Sequence, residues 1–94
     1  MAVCLTDPAI AQLNALEETD PKKHNKVLKT LALMEANIRH QGLHTHEYRS
    51  LRGPNDEKIF VAYVENNTPS AYRVFWYYGP GYDTISVVAI TPHP

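Results

Sequence analysis

Apolar residues recur every three or four positions in the first part of the chain and tend toward every second position in the last part. Ile10, Leu13 and Leu16 share one face of a helix predicted over residues 8–18. Val27, Leu28, Leu31, Met34 and Ile38 form the apolar stripe of a second helix over residues 21–40, with Lys22, Lys23, Lys26 and Lys29 away from it. Both helices open in the same way. Asp7-Pro8 and Asp20-Pro21 each put an aspartate at the N-cap, where its oxygen accepts an orphan N–H, and a proline at the first helical position. Gly42 is a natural stop for the second helix, and the short joint at residues 18–20 predicts an antiparallel helical hairpin.

After Gly42 β-branched and aromatic residues take over. Strands are predicted over residues 48–51, 58–65, 72–78 and 84–91, separated by turn-forming runs at Gly53-Pro54-Asn55-Asp56, Asn66 to Ser70 and Gly79 to Asp83. Residues 3–6 are a candidate for a further edge strand. The short loops predict an antiparallel meander, so the expected class is α+β: a helical hairpin packed on one face of a twisted antiparallel β-sheet. Alternation along residues 72–78 puts Arg73, Phe75 and Tyr77 on one face and Tyr72, Val74, Trp76 and Tyr78 on the other. An arginine cannot sit under a helix without a partner, so Arg73 belongs on the face away from the helices, with Phe75 and Tyr77 beside it.

Composition narrows the class further. At 94 residues the chain is one domain, residues 1–94, and 44% hydrophobic with 20% charged residues excludes a disordered, collagen-like or membrane-spanning chain. Cys4, the single cysteine, cannot form an internal disulfide and reads as an inert, buried thiol. With no secretory signal at the start, the expected location is cytoplasmic. The net charge of −1 is unlike that of a protein that coats duplex DNA. The average conceals a basic strip: Arg39, His40, His44, His46, Arg49 and Arg52 stand against one acid, Glu47. Such a strip is either a solvated face or a local site for an anion such as one phosphodiester.

No glycine-rich phosphate loop, nucleophile elbow or zincin helix is present. His40, His44 and His46 have metal-ligand character, but they lack an obvious fourth ligand and lie at a helix-to-strand joint, so neither a metal nor a cofactor is expected. Pro92-His93-Pro94 holds a histidine stiffly after the last strand. An imidazole there, near Arg73, suits acid–base work at neutral pH.

Two helices, then Leu51-Arg52-Gly53, then Tyr72-Arg73-Val74-Phe75-Trp76, then a final strand with a His-containing tail: this order resembles the RelE/ParE superfamily of toxin–antitoxin toxins. The resemblance covers most of the chain in element order. It implies a RelE-like fold and an endoribonuclease that cleaves single-stranded or ribosome-bound mRNA by attack of the 2′-OH. Arg73 matches the family's strand arginine at the scissile phosphate, and His93 resembles the C-terminal histidine that acts as general acid. The base is implied among His44, His46 and Glu47, without a unique choice. Arg49 and Arg52 are expected to bind RNA, and Phe75 or Tyr77 to stack on a base. The implied partners are mRNA on the ribosome and an antitoxin protein, with no membrane, and self-association is compatible with six tyrosines and one tryptophan. The near-neutral charge supports an alternative, a non-catalytic protein-binding module of the same fold whose partner is an antitoxin or gyrase.

Overall fold

The computed structural model describes residues 1–93; Pro94, the second proline flanking His93, lies outside them. The chain runs β1 (Ala2–Leu5), α1 (Asp7–Thr19), α2 (Pro21–Ala36), a short 3₁₀ turn (Gln41–Leu43), β2 (His46–Arg52), β3 (Lys58–Tyr63), β4 (Tyr72–Tyr78) and β5 (Thr84–Pro92). The five strands form one sheet in the order β1-β5-β4-β3-β2. From β2 to β5 the pairing is antiparallel, as the short loops predict. The sheet is nevertheless mixed, because β1 pairs with β5 in parallel. A parallel pair needs a crossover, which here is the whole intervening chain, and no local pattern announces it.

Asp20 caps α2 as expected, its carboxylate accepting from the Lys23 amide at 3.1 Å. At α1 the N-cap is Thr6 rather than Asp7, and the Thr6 hydroxyl donates to the Val87 carbonyl at 2.9 Å, tying the helix start to β5. Helix α2 ends at Ala36, short of Gly42. Asn37 turns extended, donates its backbone N–H to Leu33 O at 2.7 Å and accepts from the Arg39 amide through Oδ1 at 3.1 Å. This local competition from an asparagine side chain closes the helix while Ile38 still packs against the core. Gly42 instead lies in the 3₁₀ turn, capped by His40 Nδ1 accepting from its N–H at 2.9 Å.

The main core lies between the helices and the sheet, where Ala9, Leu16, Val27 and Met34 meet Val74, Trp76, Ile85 and Val87. The opposite, open face carries a second apolar cluster of Ile59, Val61, Phe75 and Tyr77, which Tyr48 covers from β2 with its ring 5.1 Å from Phe75. Cys4 is exposed on the edge strand β1 and is not the buried thiol that its apolar neighbours suggest, since β1 has a sheet neighbour on one side only. Among the described residues no helix is long and apolar enough to cross a membrane.

Candidate functional site

Strand register builds a row across the open face: Tyr63 on β3 lies opposite Arg73 on β4, and Arg73 opposite Thr91 on β5. The Arg73 guanidinium lies over the Tyr63 ring, its Cζ 3.6 Å from the ring centroid. Its Nη1 donates to the carbonyls of Glu65 and of Tyr72, the latter at 3.1 Å. Arg73 is only 6% exposed, and its Nε is buried without a hydrogen-bond partner. The arginine is therefore on the expected face but embedded in it, held in one pose by an aromatic ring and two backbone oxygens.

Tyr63 gathers two histidines as well. The His44 ring is 5.0 Å and the His46 ring 5.9 Å from it, centroid to centroid. His44 has a left-handed backbone (φ 49°) at the entry to β2, and this turn brings its carbonyl to His46 Nδ1 at 3.0 Å. A carbonyl oxygen can only accept, so Nδ1 carries the proton and Nε2 of neutral His46 keeps its lone pair. In the neutral imidazole this contact leaves Nε2 as the basic nitrogen, the one a general base uses. Tyr63 carries no functional motif of its own in the sequence. Its place on the open face is legible from strand alternation, because Ile59, Val61 and Tyr63 share one face.

Glu47, the other expected base, pairs with Phe60, which stacks on Trp76 in the helix-side core. Strand alternation thus puts Glu47 on the opposite face of the sheet from Arg73. Arg49 and Arg52 are also away from the row. Arg49 is 88% exposed and 3.8 Å from Glu47, while Arg52 lies opposite Lys58, with Asp56 at 3.9 Å. Five residue steps along β3 lead from Lys58 to Tyr63, a span of ~17 Å at ~3.4 Å per step. Phe75 and Tyr77, expected to stack on a base, are 3% and 6% exposed. Cover from Tyr48 and the neighbouring β3 side chains leaves no open ring face on which a base could stack.

His93 extends the β5 ladder by one residue, its N–H donating to Ala71 O at 2.7 Å. It follows Thr91 by two positions, so it shares Thr91's face and is a diagonal neighbour of Arg73, at roughly 7–8 Å between backbones. Glu65 anchors the same end of the site. Its carboxylate is 2.9 Å from Lys23 and 3.2 Å from Lys26 on α2, and it accepts from the Tyr72 amide at 3.2 Å. Burial pushes this carboxyl up, but the hydrogen bonds from Lys23, the Tyr72 amide and Lys26 outweigh it and hold the group below the usual carboxylate value. A hollow of about 380 Å³ lined by Lys26, Lys29, Thr30, Glu65 and Thr68 lies on the α2 side of Glu65, away from the Arg73 row. Among the described residues no group of three or more His, Cys, Asp or Glu side chains could hold a metal ion.

No protein-family model matches the sequence, and neither does any curated protein. Solved structures do match. The YoeB/ParE toxin from Agrobacterium tumefaciens superposes with a TM-score of 0.72 at 11% identity, over 100% of both chains. The YoeB dimer from Staphylococcus aureus gives 0.70 at 10% identity, over 100% of this chain and 98% of that one. A chain of the archaeal RelE–RelB complex from Pyrococcus horikoshii OT3 gives 0.67 at 15% identity, over 97% of this chain and 92% of that one. The chain has the RelE/ParE fold. Within this fold two helices cover one face of a five-stranded sheet, and the Arg73–Tyr63 row occupies the other. At these identities the likeness concerns backbone architecture, and the chemistry must be argued from the side chains.

Proposed function

We propose that this RelE/ParE-fold chain is a toxin-type endoribonuclease acting on single-stranded or ribosome-bound mRNA. The observation that carries the reading is Arg73, a charge held over Tyr63 on the open face, with His46 beside the same ring and its Nδ1 in contact with the His44 carbonyl. His46 Nε2 takes the proton of a ribose 2′-OH, and O2′ attacks the adjacent phosphorus. Arg73 stabilises the charge that builds on the non-bridging oxygens. The bond from phosphorus to O5′ breaks, and His93 protonates the leaving oxygen, giving a 2′,3′-cyclic phosphate and a 5′-hydroxyl. The nucleophile belongs to the substrate, so DNA is not cut. Glu47 has no part in this scheme, because the sheet separates it from Arg73.

The Pyrococcus RelE was solved with RelB and a Staphylococcus YoeB with YefM, which supports an antitoxin protein as the resting partner of this chain. A second reading, a non-catalytic binding module directed at an antitoxin or gyrase, is favoured by one observation: Phe75 and Tyr77 are buried and cannot serve as a base-stacking platform. The two readings separate in a translation reaction followed by primer extension on the mRNA. The nuclease cuts at defined sites, a 2′-deoxy substitution at the cut nucleotide blocks it, and His93→Ala lowers the rate by roughly 10²–10⁴. Inhibition of growth or translation without RNA cuts, or full cutting by His93→Ala, would overturn the nuclease mechanism.

A further inference from the structure

Glu65 lies two residues past the end of β3, at the start of the exposed loop 66–70, whose Asn67 and Ser70 both adopt left-handed backbone. Few sheet bonds hold it there. Its own N–H reaches Tyr72 O only at 3.4 Å, although the preceding Val64 N–H makes 3.1 Å to the same oxygen. The carboxylate supplies the remaining constraint, with Lys23 at 2.9 Å, Lys26 at 3.2 Å and the Tyr72 amide at 3.2 Å. Lys23 also lies 5.0 Å from the Tyr72 ring centroid. At the other end of the same residue, the Glu65 carbonyl accepts from Arg73 Nη1. One residue thus joins helix α2 through its side chain to Arg73 through its backbone.

We infer that Glu65 is a positioning residue for Arg73: Lys23 and Lys26 of α2 hold its carboxylate, and this fixes the carbonyl that aims the guanidinium. The inference rests on the reading of Arg73 as the phosphate-contacting group. A neutral amide at position 65 could still accept from the Tyr72 N–H, but it could not hold two ammonium groups. Without them residue 65 belongs to the loop, and its carbonyl moves with the loop. Arg73 would then keep the Tyr72 carbonyl and the Tyr63 face as anchors, which leave the guanidinium free to pivot.

Four arginines make the test tractable, because Arg39, Arg49 and Arg52 are exposed while Arg73 Nε is buried. In protein labelled with ¹⁵N-arginine, Arg73 Nε–H should be the slowly exchanging side-chain signal. Glu65→Gln and Lys23→Met should each speed that exchange by about tenfold or more, as expected when a local closed state loosens. In RNA cleavage they should lower kcat by about 10–100-fold with KM within about twofold, the pattern of a misplaced transition-state contact. Leu16→Ala, which removes a core contact of α1, should lower Tm and leave the Arg73 signal slow. Unchanged Arg73 exchange in both Glu65→Gln and Lys23→Met would overturn the inference. So would equal acceleration in Leu16→Ala, which would mark a global loosening. If the wild type cuts no RNA, the nuclease reading fails by itself, and the exchange measurement still decides whether Glu65 holds Arg73.

Discussion

Replacing Arg73 tests both its packing and its chemistry, and the burial sets the expected size. An arginine on a solvated face could be truncated with little effect on folding. Arg73 is instead 6% exposed, bonded to two carbonyls and stacked on Tyr63. Arg73→Ala removes two hydrogen bonds from a charged donor, at ~1.5 kcal/mol each on the conservative side, and a cation–π contact of ~1 kcal/mol. It also relieves the buried, unpartnered Nε, which offsets ~1–2 kcal/mol. The net expectation is a loss of ~2–3 kcal/mol, or a fall in Tm of ~8–24 °C for a domain of this size. Arg73→Met behaves differently. It fills most of the same space, keeps a contact with the Tyr63 ring and removes a buried charge, so its stability should be within ~1 kcal/mol of wild type. Chemical denaturation measures both variants, and RNA cleavage is assayed where each is folded. Both should lose ~2.7–4 kcal/mol of transition-state stabilisation. If Arg73→Ala unfolds with the wild-type midpoint, the guanidinium is not embedded as described. If Arg73→Met cleaves at the wild-type rate, Arg73 has no role in charge stabilisation.

Three further predictions test the site and its frame. His46→Ala should cut RNA roughly 10²–10⁴-fold more slowly, whereas Glu47→Ala should stay within about twofold of wild type; the reverse order in primer extension would return the base role to Glu47. Glu65 has a folded-state pKa held below its ordinary 4.5, so its contribution to stability is present above pH 4.5 and is lost as pH falls through the lower folded value. The stability gap between wild type and Glu65→Gln, from denaturant titrations, should therefore be full at neutral pH and close under acid; a constant gap would rule the ion pairs out as its source. Asp20→Ala removes the α2 cap bond to the Lys23 amide and should lose ~1 kcal/mol by thermal melting, with no loss indicating that water replaces the cap.

Local signals carried the architecture further than the site. Proline after a capping aspartate marks the start of α2, and alternation along β4 separates Arg73 from Trp76, because both depend on residues adjacent in sequence. The candidate site depends on register, which a linear pattern does not contain. His46 and Glu47 are neighbours in the chain, yet pairing with Val61 and Phe60 sends them to opposite faces. The irregular register between Glu47 and Arg52 then removes any simple count that would place the two arginines. Phe75 and Tyr77 have the parity of an open face, but Tyr48 closes over that face from a strand far away in sequence. The anchoring of Arg73 by Glu65 arises where β3 ends and α2 passes behind it, a contact with no sequence signature.

The arrangement of Arg73 bears on the choice between nuclease and binding module. Burying a guanidinium with one donor unpaired is unfavourable, and a methionine or leucine would pack the same space without that penalty. Stability alone therefore does not explain an arginine at this position. A protein-docking surface keeps most of its charges at a solvated rim, with arginine the exception that also anchors interface cores. Arg49 and Arg52 have the rim character, being exposed and only loosely paired. Arg73 has the opposite character: its orientation is set in advance by Tyr63, Glu65 and Tyr72. Preorganisation of this kind matters most for charge that exists only in a transition state, since the protein need not rearrange as the charge develops. His46 beside the same ring, its Nδ1 in contact with the His44 carbonyl, is a second element with a direct use in proton transfer. Two groups placed independently around Tyr63 favour chemistry on a phosphodiester over simple adhesion.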